Sequence, residues 1–226
     1  MAIRFRKDRA IALGGLALMS TFCLALLALR LAYAGVTFPY LAWNLFLAWI
    51  PCALALVIHD RYKRGTAMPL VPLALAWLVF FPNAPYLVTD LVHLRDDSVT
   101  PVWFDALVYA AFAWTGLLLG FVSLYLMHVV VRRIVGAVRS WAFVLCALAL
   151  GSFGIYLGRF ERWNSWDVFV RPTRLLADLW PHAADPLAHP RTLAVLVIWT
   201  GFLSVSYVML YSFLRLGASL EQQRRR

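Results

Sequence analysis

The sequence predicts an all-α membrane bundle of six transmembrane helices, with both termini cytoplasmic and the third helix broken by Pro82 and Pro85. Composition is the first support: 63% of the 226 residues are apolar and only 14% are charged. Soluble domains sit nearer half and a quarter, and no globular core can absorb so much apolar surface. Patterning is the second. Apolar runs recur at about 10–33, 40–58, 69–88, 103–131, 141–158 and 192–214, each near the roughly 20 residues that cross a hydrocarbon core. Residues 1–226 therefore read as one integral membrane domain. A soluble enzyme, a nucleic-acid-binding module and a disordered chain are excluded.

Charge placement is the third support. Of the 21 Lys and Arg, 14 fall on one side: Arg4, Arg6, Lys7 and Arg9; Arg61, Lys63 and Arg64; Arg132, Arg133 and Arg139; Arg215 and the C-terminal Arg224, Arg225 and Arg226. The other side holds 7: Arg30, Arg95, Arg159, Arg162, Arg171, Arg174 and Arg191. Only 3 of the 11 acids lie on the first side, so the faces carry +11 and −1. This loop-by-loop bias predicts a multi-pass protein of the cytoplasmic (inner) membrane with its termini inside. The net +10 is then a topology signal with contact to anionic membrane lipids, and no nucleic-acid partner is expected.

Each element has its own logic. The first run, with Arg4 to Arg9 before it and Ala32-Tyr33-Ala34 after it, resembles a signal peptide; its 20 apolar residues from Ala10 to Leu29 instead predict an uncleaved span. Cys23, Cys52 and Cys146 fall inside spans without ligand spacing and are assigned to packing. Gly116 and Gly120 in span four, and Gly151, Gly154 and Gly158 in span five, predict close helix contact within the chain. A homo-oligomer or other membrane-protein partners stay open.

The third span ends abnormally, at Phe81-Pro82-Asn83-Ala84-Pro85-Tyr86. Each proline removes a backbone donor and pushes its predecessor from helical dihedrals. In lipid such freed carbonyls must be satisfied, so a break here lines a wet cavity or a binding site, or is a kink that only shapes packing. Beyond it Tyr86, Asp90, His93 and Asp97 recur at helical spacing and predict one polar stripe, while Thr89 and Asp90 could cap a new helix. Asp90 and His93 could converge on a proton or a metal, or simply hydrogen-bond each other. Two ligands do not make a metal site, so no metal is assigned and the sequence names no cofactor.

The remaining outer segments supply complementary groups. Asp105 follows Trp103 and Phe104 at the mouth of span four, at expected headgroup level. After span five come Arg159, Arg162, Asn164 and Asp167, interleaved with Trp163 and Trp166. Such arginines suit an oxyanion, ion pairs to Asp90, Asp105 or Asp167, or lipid headgroups. Thr173 to Trp180, before Pro181, predicts a short amphipathic helix on the outer surface within a 159–191 loop, with His182 and His189 as loop residues. His59 and His128 close spans on the cytoplasmic side, where contact with headgroups or helix-end carbonyls is expected.

The strings Phe81-Pro82-Asn83-Ala84-Pro85-Tyr86, Thr89-Asp90-Leu91 with His93-Leu94, and Tyr156-Leu157-Gly158-Arg159-Phe160 with Arg162-Trp163-Asn164-Ser165-Trp166-Asp167 resemble the bacterial membrane-protein family catalogued as domain of unknown function 1361. The resemblance runs from about span two onward, while the segment between Asp167 and span six matches nothing placeable. It implies an integral membrane protein and supplies no reaction. Rhomboid, zinc-protease, phosphate-loop and dinucleotide motifs are absent from the sequence.

The residues thus predict a polar, Trp-rimmed pocket on the outer face that binds or modifies an anionic lipid-like or envelope molecule. Asp90 and His93 would form the catalytic pair. Asn83, Tyr86, Asp105, Arg159, Arg162, Asn164 and Asp167 would bind the substrate. A transporter or channel component using the broken third helix is one alternative, and a structural or assembly partner without a site is the other. Because no charged residue is expected deep in a span, proton-coupled transport is disfavoured.

Overall fold

A computed structural model describes residues 2–35, 37–65, 70–94, 99–185 and 188–223. Asp97 of the expected stripe, Arg95 and residues 224–226 lie outside the described residues. The described residues form helices and no strand, and six of the helices are long and apolar enough to cross a membrane. They are α1 (Ala2–Ala34), α2 (Pro39–Arg64), the third span beginning with α3 (Leu70–Phe80), α5 (Val102–Val135), α6 (Ala137–Phe160) and α9 (Pro190–Gln223). Within the third span, α4 (Asn83–Tyr86) and a 3-10 helix (Leu87–His93) follow α3. Most helices outrun the apolar windows, because an internally bonded backbone is favoured through the interface as well as the hydrocarbon.

Connections are short and chemically marked. Pro39 opens α2, and Gly65 closes it at φ 62, its N–H returning to the Arg61 and Tyr62 carbonyls. That left-handed turn strains any residue with a Cβ. A single residue, Gly136 at φ 87, joins α5 to α6. The basic stretch expected as a loop there is mostly helical.

The long α5 is the centre of the bundle. It packs on α1, α2, α4, the 3-10 helix and α6, while α9 rests mainly on α6. One buried cluster joins α1, α2 and α5 through Leu16, Cys23, Leu41, Leu45, Tyr109 and Phe112. A second joins α2, α3, α5, α6 and α9 through Ile58, Trp77, Leu124, Leu148 and Tyr207. Exposed Ile11, Leu18, Val197, Ile198 and Val205 face outward, as a lipid-solvated surface requires. Cys23 and Cys52 are buried, but Cys146 is exposed.

The third span departs from expectation in a specific way. Pro82, Tyr86 and Leu87 all keep right-handed helical dihedrals, so the chain does not splay at the prolines. What changes is the hydrogen-bond step. Ala84 N–H donates to the Phe81 carbonyl at 3.2 Å, three residues back, and the Asn83 side-chain amide donates to the Phe80 carbonyl at 2.9 Å. The Phe81 carbonyl uncovered by Pro85, and the Phe80 carbonyl that Ala84 leaves, are thereby satisfied without water. Thr89 donates to the Tyr86 carbonyl at 2.7 Å and caps no new helix.

The glycines of α5 and α6 explain why this segment tightens. A Cβ at Gly116 would meet the Ala84 carbonyl oxygen and Leu87, and one at Gly120 would lie 3.3 Å from the Ala84 methyl. Across the segment, Gly151 faces the Phe81 ring, Gly154 the Pro82 ring and Gly158 the Tyr86 ring. Two glycine faces thus clamp residues 81–87 between α5 and α6, a close approach open only to small residues.

The outer connection also differs from the predicted loop. α7 (Asp167–Val170) precedes α8 (Pro172–Ala184), which continues through Pro181 and takes in residue 182. Leu175 turns inward while Leu176 and Trp180 stay exposed, as in an amphipathic helix.

Candidate functional site

The ends of α1, the third span and α6 meet the beginnings of α2 and α5, and most of the predicted site residues gather there. In a 3-10 helix, three residues make a turn, so positions three apart eclipse one another. Asp90 and His93 therefore share a face, whereas the four-residue step from Tyr86 overshoots by a third of a turn. The single stripe expected for an α-helix divides in two. Asp90 and His93 turn toward α2 and Arg159, and Tyr86 turns toward α6.

Arg159 bridges the first pair. Its guanidinium lies 3.5 Å from Asp90 Oδ1 and donates to His93 Nε2 at 3.0 Å. That bond leaves the ring proton on Nδ1. Asp90 is 2% exposed, and its second oxygen accepts from Asn44 Nδ2 at 3.0 Å. Tyr40 packs edge-on against His93 and shares a 2.6 Å hydrogen bond with the Tyr109 hydroxyl.

Asp105 does not join this cluster. It is buried rather than at headgroup level, and it accepts from Arg30 Nε at 2.8 Å and NH2 at 3.3 Å. This two-pronged pair sits at the N-terminus of α5, where the helix dipole favours a carboxylate. Arg30 also stacks over the Phe38 ring at 3.8 Å. Asp167 is likewise separate, accepting from the Asn164 backbone at 2.8 Å to close a local turn. Of the six outer ionisable groups expected to converge, Asp90, His93 and Arg159 are in contact, and the other three have separate surroundings.

A cavity of about 270 Å³ opens beside the cluster, between α2, the third span, α6 and the following loop. Asn83, Tyr86, Arg162 and Asn164 line it, together with Trp43, Asn44, Pro82, Trp163 and Ser165. Asp90, His93, Asp105, Arg159 and Asp167 do not. Asn83 is fixed by a second bond, Nδ2 to Ser165 Oγ at 2.8 Å. Trp43 meets Trp166 edge-on, with ring centroids 6.2 Å apart.

Arg162 holds an unusual position. It is the described non-glycine residue with positive φ, at 58°. It follows the end of α6 in the left-handed region, and the next N–H, that of Trp163, returns to the Leu157 carbonyl at 3.1 Å. Glycine ordinarily fills that position, since a Cβ there costs about 1–2 kcal/mol. The Arg162 side chain has no hydrogen-bonded or ionic partner among the described residues.

Several participants escaped the sequence reading. Asn44 both lines the cavity and holds Asp90; its signal was a lone amide in an apolar span. Arg30 was counted only toward the charge of the outer side. Trp43 carried no signal beyond membrane-interface preference. Among the described residues, no three His, Cys, Asp or Glu side chains gather as a metal site would need.

Fold and site together define a multi-pass helical membrane protein with an amide- and tryptophan-lined cavity at one end of its bundle. The family described as protein of unknown function DUF1361 matches residues 43–209, and the chain belongs to it. The matched range runs through the segment after Asp167 that was expected to fall outside the resemblance. No curated protein and no solved structure matches the chain.

Proposed function

We propose that the cavity binds the headgroup of an anionic, hydroxyl-bearing amphiphile at the outer face of the inner membrane. The observation that carries this reading is Arg162, an arginine with no counter-ion among the described residues, held at a positive φ that glycine ordinarily fills, on the cavity wall. Strain retained beside a cavity is a reason to look for function. A guanidinium supplies a forked donor for phosphate or carboxylate. Asn44, Asn83, Asn164, Ser165 and Tyr86 supply the directional groups that hydroxyls need, and Trp43 and Trp163 supply apolar walls. The volume suits a headgroup, since whole drug-sized ligands occupy roughly 300–1,000 Å³. Hydrocarbon tails would remain in the bilayer.

Binding is favoured over turnover because Asp90 and His93, the proposed catalytic pair, are engaged by Arg159 and stand outside the lining. Their role in this reading is to position Asn44 and the end of α6. The structural alternative draws support from the same ion pairs, because Arg30 with Asp105 and Arg159 with Asp90 tie spans together.

The two readings separate experimentally. With the protein in an uncharged maltoside detergent, titration with glycerol 3-phosphate should quench tryptophan fluorescence saturably. Arg162→Gln should weaken that response at least tenfold while the melting temperature holds. The same curve in wild type and Arg162→Gln would leave the structural role.

A further inference from the structure

A second group of cations lies at the opposite end of the bundle, in a place that the proposed headgroup cavity does not use. Arg132 in the last turn of α5 donates to the Tyr211 hydroxyl of α9 at 2.7 Å. The Arg215 guanidinium lies over the same ring, 5.1 Å from its centroid. Tyr211 is held in turn by His128, stacked at 5.4 Å, and by Trp141, edge-on at 5.0 Å. His128 is not at the headgroups or helix-end carbonyls: it is 1% exposed and bonds Tyr207 through Nδ1 at 3.0 Å and Ser140 through Nε2 at 3.2 Å. One phenol thus carries two guanidinium groups on a framework of buried and half-buried rings.

Cavities of about 190 and 440 Å³ open beside Tyr211, and Arg132, Tyr211 and Arg215 line both. Neither arginine has a carboxylate partner among the described residues, unlike Arg9, Arg30 and Arg159. Two like charges held near one ring repel unless an anion lies between them. A phosphate fits that need, because its several oxygens accept from both forks at once.

We propose that Arg132 and Arg215 form a phosphate-binding site between α5 and α9. The phosphate would come from an anionic lipid headgroup or from a soluble phosphate on that side. Because α9 rests mainly on α6, the bound anion would also fasten α9 to α5.

The test uses full-length protein in an uncharged maltoside detergent, with thermal unfolding followed at rising concentrations of three probes. Dihexanoyl phosphatidylglycerol should raise the melting temperature saturably, and dihexanoyl phosphatidylcholine should not. Arg215→Gln changes an exposed side chain and should fold normally; it should weaken the phosphatidylglycerol response at least tenfold, as should Arg132→Gln. Arg133→Gln, an equal charge loss outside both cavities, should leave it unchanged, and every protein compared carries Arg162→Gln so that headgroup binding in the other cavity does not contribute. Inorganic phosphate matching the lipid, with the same dependence on Arg132 and Arg215, assigns the site to a soluble phosphate. A response confined to phosphatidylglycerol assigns it to lipid. The proposal is overturned if phosphatidylglycerol and phosphatidylcholine act alike, or if Arg215→Gln and Arg132→Gln respond as wild type does.

Discussion

At the residue scale, the two ion pairs near the candidate site differ in burial, and burial decides their worth. Arg30 and Asp105 are 4% and 3% exposed with two hydrogen bonds between them. Removing one partner strands a buried charge, which costs about 3–5 kcal/mol. Asp105→Ala should therefore lower stability in detergent steeply, while Arg30→Met with Asp105→Leu should recover most of the loss. Additive effects of the two changes in a double-mutant cycle would show the charges uncoupled. Asp90 with Arg159 should couple more weakly, about 1 kcal/mol, because Arg159 reaches solvent and the contact is 3.5 Å. Asp90 with Arg162 should be additive, since they do not meet. Arg162 offers a sharper test. Arg162→Gly relieves a left-handed Cβ, so stability should hold or rise by a few tenths of a kcal/mol to about 1 while glycerol 3-phosphate binding falls. A clear loss of stability in that variant would mark Arg162 as a structural cap. The sequence showed these charges to be at one end, but not their pairing: 75 positions separate Arg30 from Asp105, and nothing local records such a contact.

At the element scale, the proline segment shows what a local rule misses. Pro82 and Pro85 do remove donors, and their local consequence was legible. The response was not, because it depends on glycines about 30 to 70 positions away in α5 and α6 that let the segment tighten toward a three-residue step. That tightening moved Tyr86 off the face of Asp90 and split the predicted stripe. The clamp predicts unequal costs for one substitution. Gly116→Ala places a methyl against the Ala84 backbone carbonyl, which cannot swing away, and should destabilise by about 1–3 kcal/mol. Gly154→Ala presses on the Pro82 ring and should behave similarly. Gly201→Ala has open space around it and should be neutral or stabilising by up to about 1 kcal/mol, because alanine is the better helix former. Thermal melts of the three variants in one detergent check the order. Equal losses at all three positions would mean that the glycines serve helix flexibility rather than close contact.

At the scale of the whole molecule, hydropathy made the six spans legible because lipid imposes one constraint on every crossing segment. Which span neighbours which was not written that way, and the central place of α5 emerges only from packing. The overall charge bias makes the remaining large-scale prediction. Helix contacts place Arg30, Asp105, His93 and Arg159 at one end, and Arg9, Asp60, Arg132 and Arg215 at the other. The second end is the side to which the sequence assigns the basic excess, 14 of the 21 Lys and Arg in the chain. Translocating those residues would oppose the orientation preference of every short loop at once, so this end should stay cytoplasmic and the candidate cavity should face outward. An alkaline phosphatase fusion at the C-terminus should be inactive, and a green fluorescent fusion there bright. Phosphatase joined after residue 37 or 188 should be active, and after residue 65 or 136 inactive. Active phosphatase at the C-terminus would invert the bundle, turn the Arg162 cavity toward the cytoplasm and move the Arg132–Arg215 site to the outer leaflet.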